Sequence, residues 1–288
     1  MKDLVITTIS KNYKWSEIKN WARSLIDTGY SGDILILAYN FEDSQHEYIQ
    51  KLQELDIKNI FIPTSDMYGN EIGTNFIWHS GMVNIQNAHI LIHNVRLFHM
   101  WQYLKECSTP YRYVINTDSR DIIFQTNPSD WLTKNCNKSI LVPSEAVAYN
   151  SEPWNKDNLI KNFGTYVYEY MLKDEEACNV GTFACDGKLM PDLCLTMYLM
   201  SIGVGHCDQP SFNILTRGIL QNNCKVVDFK DSWALQIGAI INKFNSNEDI
   251  LYIKDGIIYC KNNNEPYCIV HQYDRVPELS NMINKKYE

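Results

Sequence analysis

Long apolar runs are missing from this sequence of 288 residues. A membrane-spanning helix needs roughly 18 or more consecutive apolar residues, and no stretch approaches that length. The segment 1–10 also lacks the basic region, the long apolar core and the small-residue cleavage site of a secretory leader. We therefore expect no membrane span and a cytoplasmic location.

Basic residues are not in excess either, since 26 Lys and Arg stand against 34 Asp and Glu, for a formal net charge of -8. A general nucleic-acid binder needs a dominant basic surface that displaces counterions, so we expect no nucleic-acid partner. The nine cysteines are odd in number and include no Cys-x-x-Cys pair. This pattern predicts free thiols rather than a disulfide framework or a zinc site.

Glycine and proline, at 13 and 9 residues, are scattered too thinly to mark a linker, and no internal repeat is visible. The sequence does have the 45% hydrophobic and 21% charged content of an ordinary globular protein. We predict a single domain over residues 1–288.

The first part of the chain alternates strands and helices. Residues 4–9, 34–38 and 60–62 are apolar runs of strand length, and helical periodicity covers 15–26 and 48–55 between them. Such alternation predicts an α/β fold with a mostly parallel central sheet flanked by helices.

Later segments are predicted in the same way. Helices are expected over 96–105, 156–172 and 186–202, the last interrupted near Pro191. Strands are expected over 113–116, 122–124, 180–184 and 268–270, with a hairpin about Asp255 and Gly256. Residues 64–87 resemble a long, irregular connection.

The strongest local signal is a pair of acids after a short strand. The run 113–116 leads directly into Asp118, with Arg120 and Asp121 behind it. Ligands of open α/β sheets bind at the carboxyl ends of strands, and two carboxylates a few residues apart can share a divalent cation that holds a diphosphate. The alternative is an Asp that caps a turn beside a surface Arg–Asp pair.

A second signal is His271, which follows the last predicted strand and precedes Arg275. A histidine in this position suits a metal ligand with a cation nearby for phosphate. A structural histidine at a strand end is the alternative.

Three further segments place polar groups at the ends of apolar elements. Asn179 suits a bond to a sugar hydroxyl, and Gly181 permits close approach of a ligand to the backbone. Asp208, beside Gln209, is either functional or a helix cap. Arg96 is expected to begin a helix, where a cation and the helix N-terminus meet a phosphate, unless it is a solvated helix arginine.

Taken in order, Arg96-Leu, Asn-Thr-Asp118-Ser-Arg-Asp121, Asn179-Val-Gly181, Asp208-Gln209 and His271 resemble the GT-A glycosyltransferases. The array is nearest to the family that includes glycogenin and the bacterial lipopolysaccharide galactosyltransferases, and it is also similar to a eukaryotic and viral set of predicted glycosyltransferases. The resemblance covers nearly the whole chain. It implies a Rossmann-like GT-A fold with a nucleotide-binding part over 1–125 and an acceptor-binding part over 126–288.

The resemblance also implies a reaction and its residues. A sugar passes from a nucleotide-diphosphate sugar such as a UDP-sugar to a hydroxyl of a glycan, protein or lipid-linked acceptor. The resemblance favours retention, and an inverting reaction would use Asp208 as its base. Mn²⁺ or Mg²⁺ is implied at Asp118, Asp121 and His271. The catalytic set implied is Asp208, Asn179 and Gln209, and the donor-binding set is Thr7, Thr8, Tyr13, Arg96, Asp118, Arg120 and Arg275.

One departure separates this sequence from the family. The family has Asp-x-Asp, whereas position 120 is Arg and the second acid is Asp121. Either Asp121 turns in to the metal, or Asp118 and His271 hold it while Arg120 bonds phosphate directly. The departure keeps open a non-catalytic glycan- or nucleotide-binding module. A nucleotidyltransferase is a weaker alternative, because the segment 7–13 after the first strand lacks the glycines of a phosphate loop.

Overall fold

The structure, a computed structural model of the chain, describes residues 1–41, 47–65, 72–73, 90–108, 110–245 and 250–288. The irregular connection expected over 64–87 lies largely outside the described residues. Within the described ranges the helices are α1 (Trp15–Asp27), α2 (Glu47–Glu54), α3 (Ile92–Glu106), α4 (Pro128–Asn135), α5 (Pro153–Val167), α6 (Met190–Met200), α7 (Asp208–Ile214), α8 (Ile237–Asn245) and α9 (Pro277–Lys286).

The strands of the described residues include two very short ones, β4 and β5. They are β1 (Leu4–Ser10), β2 (Asp33–Tyr39), β3 (Asn59–Phe61), β4 (Ile72–Gly73), β5 (Ile90–Leu91), β6 (Tyr113–Asn116), β7 (Ile122–Phe124), β8 (Ile140–Ala148), β9 (Glu176–Cys178), β10 (Ala184–Asp186), β11 (Cys224–Val227), β12 (Ala234–Gln236), β13 (Leu251–Lys254), β14 (Ile257–Cys260) and β15 (Ile269–His271).

The central sheet has the strand order β11-β8-β10-β6-β1-β2-β3, with β9 paired to β8 outside this path. Neighbouring strands along the path are parallel except at β10, which runs antiparallel to both β6 and β8. The prediction of one α/β domain with a mostly parallel central sheet is therefore confirmed. A division of that domain at residue 125 stays a prediction.

Strand β1 has apolar residues on both faces because helices cover the central sheet on both sides. Leu4 and Ile6 join a core with α3 and α6, whereas Val5 and Ile9 join a second core with α1. Burial of both faces explains why the strand is a continuous apolar run rather than an alternating one.

A second, smaller sheet has the strand order β12-β15-β7. Strand β15 pairs antiparallel with β7, which sets His271 opposite Ile122, and pairs parallel with β12, which sets His271 beside Gln236. Because Asp121 directly precedes β7, this register brings the end of the chain to the acids that follow β6.

Two predicted elements near Asn179 were wrong. The strand expected over 180–184 is a 3-10 turn, Val180–Thr182, and the strand begins only at Ala184. The side chain of Asn179 accepts a hydrogen bond from the Gly181 amide at 2.8 Å, which stabilises the turn. The helix expected over 186–202 begins at Met190, so Pro191 lies in its first turn, where proline is tolerated.

The helix expected over 156–172 is also different in the structure. Helix α5 begins earlier, at Pro153, and is broken at Gly164, whose φ of 85° is left-handed. A π-helical segment, Tyr168–Leu172, completes the element. The hairpin about Asp255 and Gly256 is confirmed as β13 and β14.

Two expectations from composition were tested. All nine cysteines are free thiols, as predicted. In the described part of the chain, no helix combines the length and the apolar character that crossing a membrane demands.

Candidate metal and ligand site

Asp118, Asp121 and His271 come together at the edge shared by the two sheets. The His271 Nε2 atom lies 3.5 Å from Asp118 Oδ2 and 3.6 Å from Asp121 Oδ1. The turn between β6 and β7 directs both acids to the same side, although Asp121 lies three residues after Asp118, and the β15–β7 pairing supplies the histidine. One ligand atom from each residue lies within 4.8 Å of the others.

This cluster fits a divalent cation. His271 Nε2 is buried and has no hydrogen-bond partner in the described structure, and an imidazole nitrogen with two carboxylates is a suitable donor set for Mn²⁺ or Mg²⁺. The other ring nitrogen, Nδ1, lies 2.6 Å from Gln236 Oε1, and the Gln236 amide donates to Thr182 Oγ1 at 2.6 Å. Gln236 therefore fixes the tautomer that leaves Nε2 free to bind a metal.

Gly181 makes room for the Asp118 carboxylate. A Cβ atom at position 181 would lie 2.5 Å from Asp118 Oδ2, a separation that no side chain tolerates. The Asp118 amide donates to the Gly181 carbonyl at 2.9 Å, so the two backbones are held together. Glycine was expected here for approach of a ligand, and the observed close neighbour is the acid itself.

Arg96 links the acids of the two halves of the chain. Its Nη1 donates to Asp118 Oδ1 at 3.1 Å and its Nη2 to Asp208 Oδ2 at 2.8 Å, with the Arg96 side chain 5% exposed. The expectation that Arg96 begins a helix was wrong, because α3 begins four residues earlier, at Ile92. The alternative of a solvated arginine was also wrong, since the two carboxylates draw the guanidinium into the interior.

The charges of the site favour a cation. Burial alone would raise the pKa of Asp118, but the contact with His271 and the charge of Arg96 outweigh it and lower that pKa. Burial is likewise outweighed at Asp208 by His206 and Arg96, so the pKa of Asp208 is lowered. At Asp121 burial prevails and raises the pKa. At least two of these acids are therefore held as carboxylates.

A cavity of about 310 Å³ opens beside the acids. Of the residues predicted to bind a donor or metal, it is lined by Thr8, Tyr13, Arg96, Asp118, Arg120 and Asp121. A separate cavity of about 460 Å³ near Phe229 and Tyr252 has no histidine or acid among the described residues that line it, so we do not associate it with this chemistry.

Two predicted donor-binding residues do not line this cavity. Thr7 is buried, and its hydroxyl donates to the Thr117 carbonyl at 2.8 Å, which is a structural contact. Arg275 is 55% exposed and lies 4.0 Å from Asp274, its neighbour in the chain.

The predicted catalytic residues Asn179, Asp208 and Gln209 lie near one another, and none of them lines the cavity. Gln209 follows Asp208 at the start of α7, and its Nε2 donates to Asn155 Oδ1 at 2.7 Å. The Asn179 amide donates to Glu145 at 3.0 Å. Asp208 is not simply a cap, because one of its oxygens binds Arg96 and the other lies 2.8 Å from His206 Nε2.

Four site residues had no signal in the sequence. Gln236 ends a short strand and Glu145 lies within a long one, where a polar residue commonly faces solvent. His206 precedes α7 and Asn155 lies in the first turn of α5, and neither helix carries a recognisable motif. Their roles depend on strand register and on contacts between distant segments, which local patterns do not encode.

Similarity to known proteins is found at the level of three-dimensional structure only. No protein-family model and no curated protein matches the sequence. The structure is similar to the galactosyltransferase LgtC in complex with donor and acceptor sugar analogues, with a TM-score of 0.54 and 12% identity over 98% of this chain and 95% of that chain.

Two further solved structures are also similar to this chain. An active-site mutant of LgtC gives a TM-score of 0.53 at 14% identity, over 93% of this chain and 86% of that chain. The bifunctional glycosyltransferase WbbM gives 0.51 at 11% identity, over 94% of this chain and 45% of that chain. At such identities the likeness establishes the fold, and the chain has the mixed α/β fold of these glycosyltransferases.

Proposed function

We propose that this protein is a GT-A glycosyltransferase that moves a sugar from a nucleotide-diphosphate sugar to a hydroxyl acceptor. The observation that carries the proposal is the convergence of Asp118, Asp121 and His271 beside a cavity that Arg96 and Arg120 also line. The fold of LgtC and WbbM supports it. Because LgtC was solved with donor and acceptor sugar analogues, the same two classes of ligand are proposed here.

In this proposal Asp118, Asp121 and His271 hold Mn²⁺ or Mg²⁺. The bound cation would neutralise the two extra negative charges of a departing nucleoside diphosphate. Three other residues position these ligands. Gln236 sets the His271 tautomer, Arg96 keeps Asp118 ionised and oriented, and Gly181 leaves the space that its carboxylate occupies.

The cavity is proposed to take the nucleotide. Thr8 and Tyr13, at the end of β1 and just beyond it, would contact the nucleoside, while Arg120 would meet the diphosphate as an exposed cation. Thr7 and Arg275 are given no direct role, because the Thr7 hydroxyl is buried on the Thr117 carbonyl and Arg275 is exposed outside the cavity.

The sugar is proposed to lie against Asn179, Asp208 and Gln209. A general base for an inverting reaction needs a pKa near the working pH, whereas Asp208 is paired with Arg96 and His206 and its pKa is lowered. We therefore propose that Asp208 orients sugar hydroxyls rather than removing a proton. Retention follows the resemblance and accords with the absence of a strong base at position 208.

The altered spacing of the acids no longer favours a non-catalytic binding module. Asp121 approaches His271 as closely as Asp118 does, within 0.1 Å, at 3.6 and 3.5 Å, so the extra residue does not displace the second carboxylate. No observation favours a nucleotidyltransferase.

A donor screen tests the proposal. The melting temperature is measured with Mn²⁺ and, in turn, UDP-galactose, UDP-glucose, UDP-N-acetylglucosamine and GDP-mannose, since a bound ligand stabilises the folded state by linkage. Release of nucleoside diphosphate is then followed with the donor that gives the largest shift. A metal-dependent shift with turnover supports the proposal. A shift without release, even with a panel of sugar acceptors, would indicate a binding module.

A further inference from the structure

Glu145, in β8, is surrounded by side-chain amides. Its Oε1 accepts hydrogen bonds from Asn179 Nδ2 at 3.0 Å and Gln209 Nε2 at 3.4 Å, and its Oε2 accepts one from Asn155 Nδ2 at 3.0 Å. All three donors are neutral. Two of them, Asn179 and Gln209, are the amides proposed to contact the sugar.

We infer that Glu145 is a positioning residue that fixes the orientation of the Asn179 and Gln209 amides toward the donor sugar; this inference rests on the proposed function. An amide group has a donor end and an acceptor end of nearly the same shape, so either end can face a neighbour. Burial raises the pKa of Glu145, while the hydrogen bonds from the three side-chain amides oppose that shift and favour the carboxylate. An ionised carboxylate only accepts hydrogen bonds. Glu145 therefore selects the orientation in which both NH₂ groups point toward it.

The hydrogen bonds of the two amide oxygens are consistent with this orientation. Asn179 Oδ1 accepts from the Gly181 amide at 2.8 Å, and Gln209 Oε1 accepts from the Val180 amide at 3.4 Å. Both oxygens thus meet the backbone of the turn that adjoins Asp118. Rotation of either amide would set NH₂ against N–H at one end and oxygen against carboxylate at the other, leaving buried groups unsatisfied.

Asn155 completes the arrangement. Its amide donates to Glu145 Oε2 while its oxygen accepts from Gln209 Nε2 at 2.7 Å. The Gln209 NH₂ is therefore held by two acceptors, and its side chain is fixed before any ligand arrives. Such prior order lowers the entropic cost of orienting a sugar.

The test replaces Glu145 with Gln, which has the same shape but carries an NH₂ in place of one oxygen. At least one of the three amides must then rotate. With UDP-galactose, or the donor from the screen that shows turnover, we expect kcat to fall roughly ten- to a hundredfold. The shift in melting temperature given by UDP with Mn²⁺ should stay unchanged, because UDP lacks the donor sugar that Asn179 and Gln209 are proposed to contact. Glu145→Asp, which keeps the acceptor, should recover part of kcat.

Glu176→Gln is the matched control, since Glu176 also accepts a side-chain hydrogen bond, from Ser144 at 2.6 Å, but lies outside the site. Wild-type kcat in Glu145→Gln would overturn the inference, as would an equal loss of UDP binding. Side-chain amide NMR gives a readout without substrate: the NH₂ resonances of Asn179 and Gln209 should move in Glu145→Gln, and unmoved resonances contradict the inference. A wild type that turns over no donor refutes the proposed function separately.

Discussion

Replacing Gly181 with Ala tests the geometry of the metal site with a single methyl group. The added Cβ would lie 2.5 Å from Asp118 Oδ2 and 2.9 Å from Asp118 Cγ. Gly181 is absent from the residues with positive φ, so alanine fits the backbone and the effect comes from contact alone. The Asp118 carboxylate has to retreat, while Arg96 and the backbone of Asp118 resist that movement.

The size of the effect follows from the required displacement. An ordinary van der Waals separation needs the carboxylate to move by roughly 1 Å, and a misplacement of this size costs on the order of 100-fold in rate, or about 2.7 kcal/mol of activation free energy. Overpacking should also lower the free energy of unfolding by about 1–3 kcal/mol. The loss of turnover should therefore be clear while the chain still folds.

The assay compares donor turnover and the Mn²⁺-dependent melting shift of Gly181→Ala with those of Gly205→Ala. Among the described residues, a Cβ at position 205 would meet only Asn162 Oδ1, at 3.4 Å, which is an ordinary contact. We expect both properties to be reduced in Gly181→Ala and kept in Gly205→Ala. Wild-type turnover and metal response in Gly181→Ala would refute the reasoning.

Two further predictions concern stability. Arg96→Met should lower the free energy of unfolding by about 3–5 kcal/mol in urea titrations, because Asp118 and Asp208 lose a buried cation; Arg275→Met, at an exposed site, should change it by less than about 0.5 kcal/mol. Burial, then His206, lowers the pKa of His93 to about 4. The unfolded chain therefore binds a proton near pH 6.5 that the folded chain does not, and stability should fall by about 1 kcal/mol from pH 7.5 to 5.5.

Each of these predictions has an outcome that contradicts it. Equal destabilisation by the two arginine substitutions would mean that Arg96 is not a buried link between the acids. For the histidine, His93→Asn should show a smaller loss of stability than wild type over the same pH interval. An identical loss in both proteins would assign the effect to other groups.

Features that a local pattern encodes were predictable from the sequence. Strand β6 and the acids behind it were predicted because an apolar run followed by acids at a strand end is visible within about ten residues. The hairpin at Asp255 and Gly256 was predicted for the same reason, since turn residues between two apolar arms form a local signal.

Contacts between distant segments of the chain were not predictable from the sequence. The Arg96–Asp208 contact joins residues 112 positions apart. The local periodicity therefore predicted that Arg96 lies in a helix, but it could not predict that the side chain is buried. Glu145 and Gln236 depend on which strands pair and in what register, and neither has a local signal. The turn at Val180–Thr182 replaced an expected strand because side-chain bonding by Asn179 competes with the sheet.

The most direct measurement is a crystal structure with Mn²⁺ and UDP, with anomalous scattering used to locate the metal. This metal-site assignment predicts one manganese peak about 2.0–2.4 Å from His271 Nε2 and from a carboxylate oxygen of each of Asp118 and Asp121, and loss of that peak in His271→Ala. A peak bound elsewhere, or one that persists unchanged in His271→Ala, would contradict it.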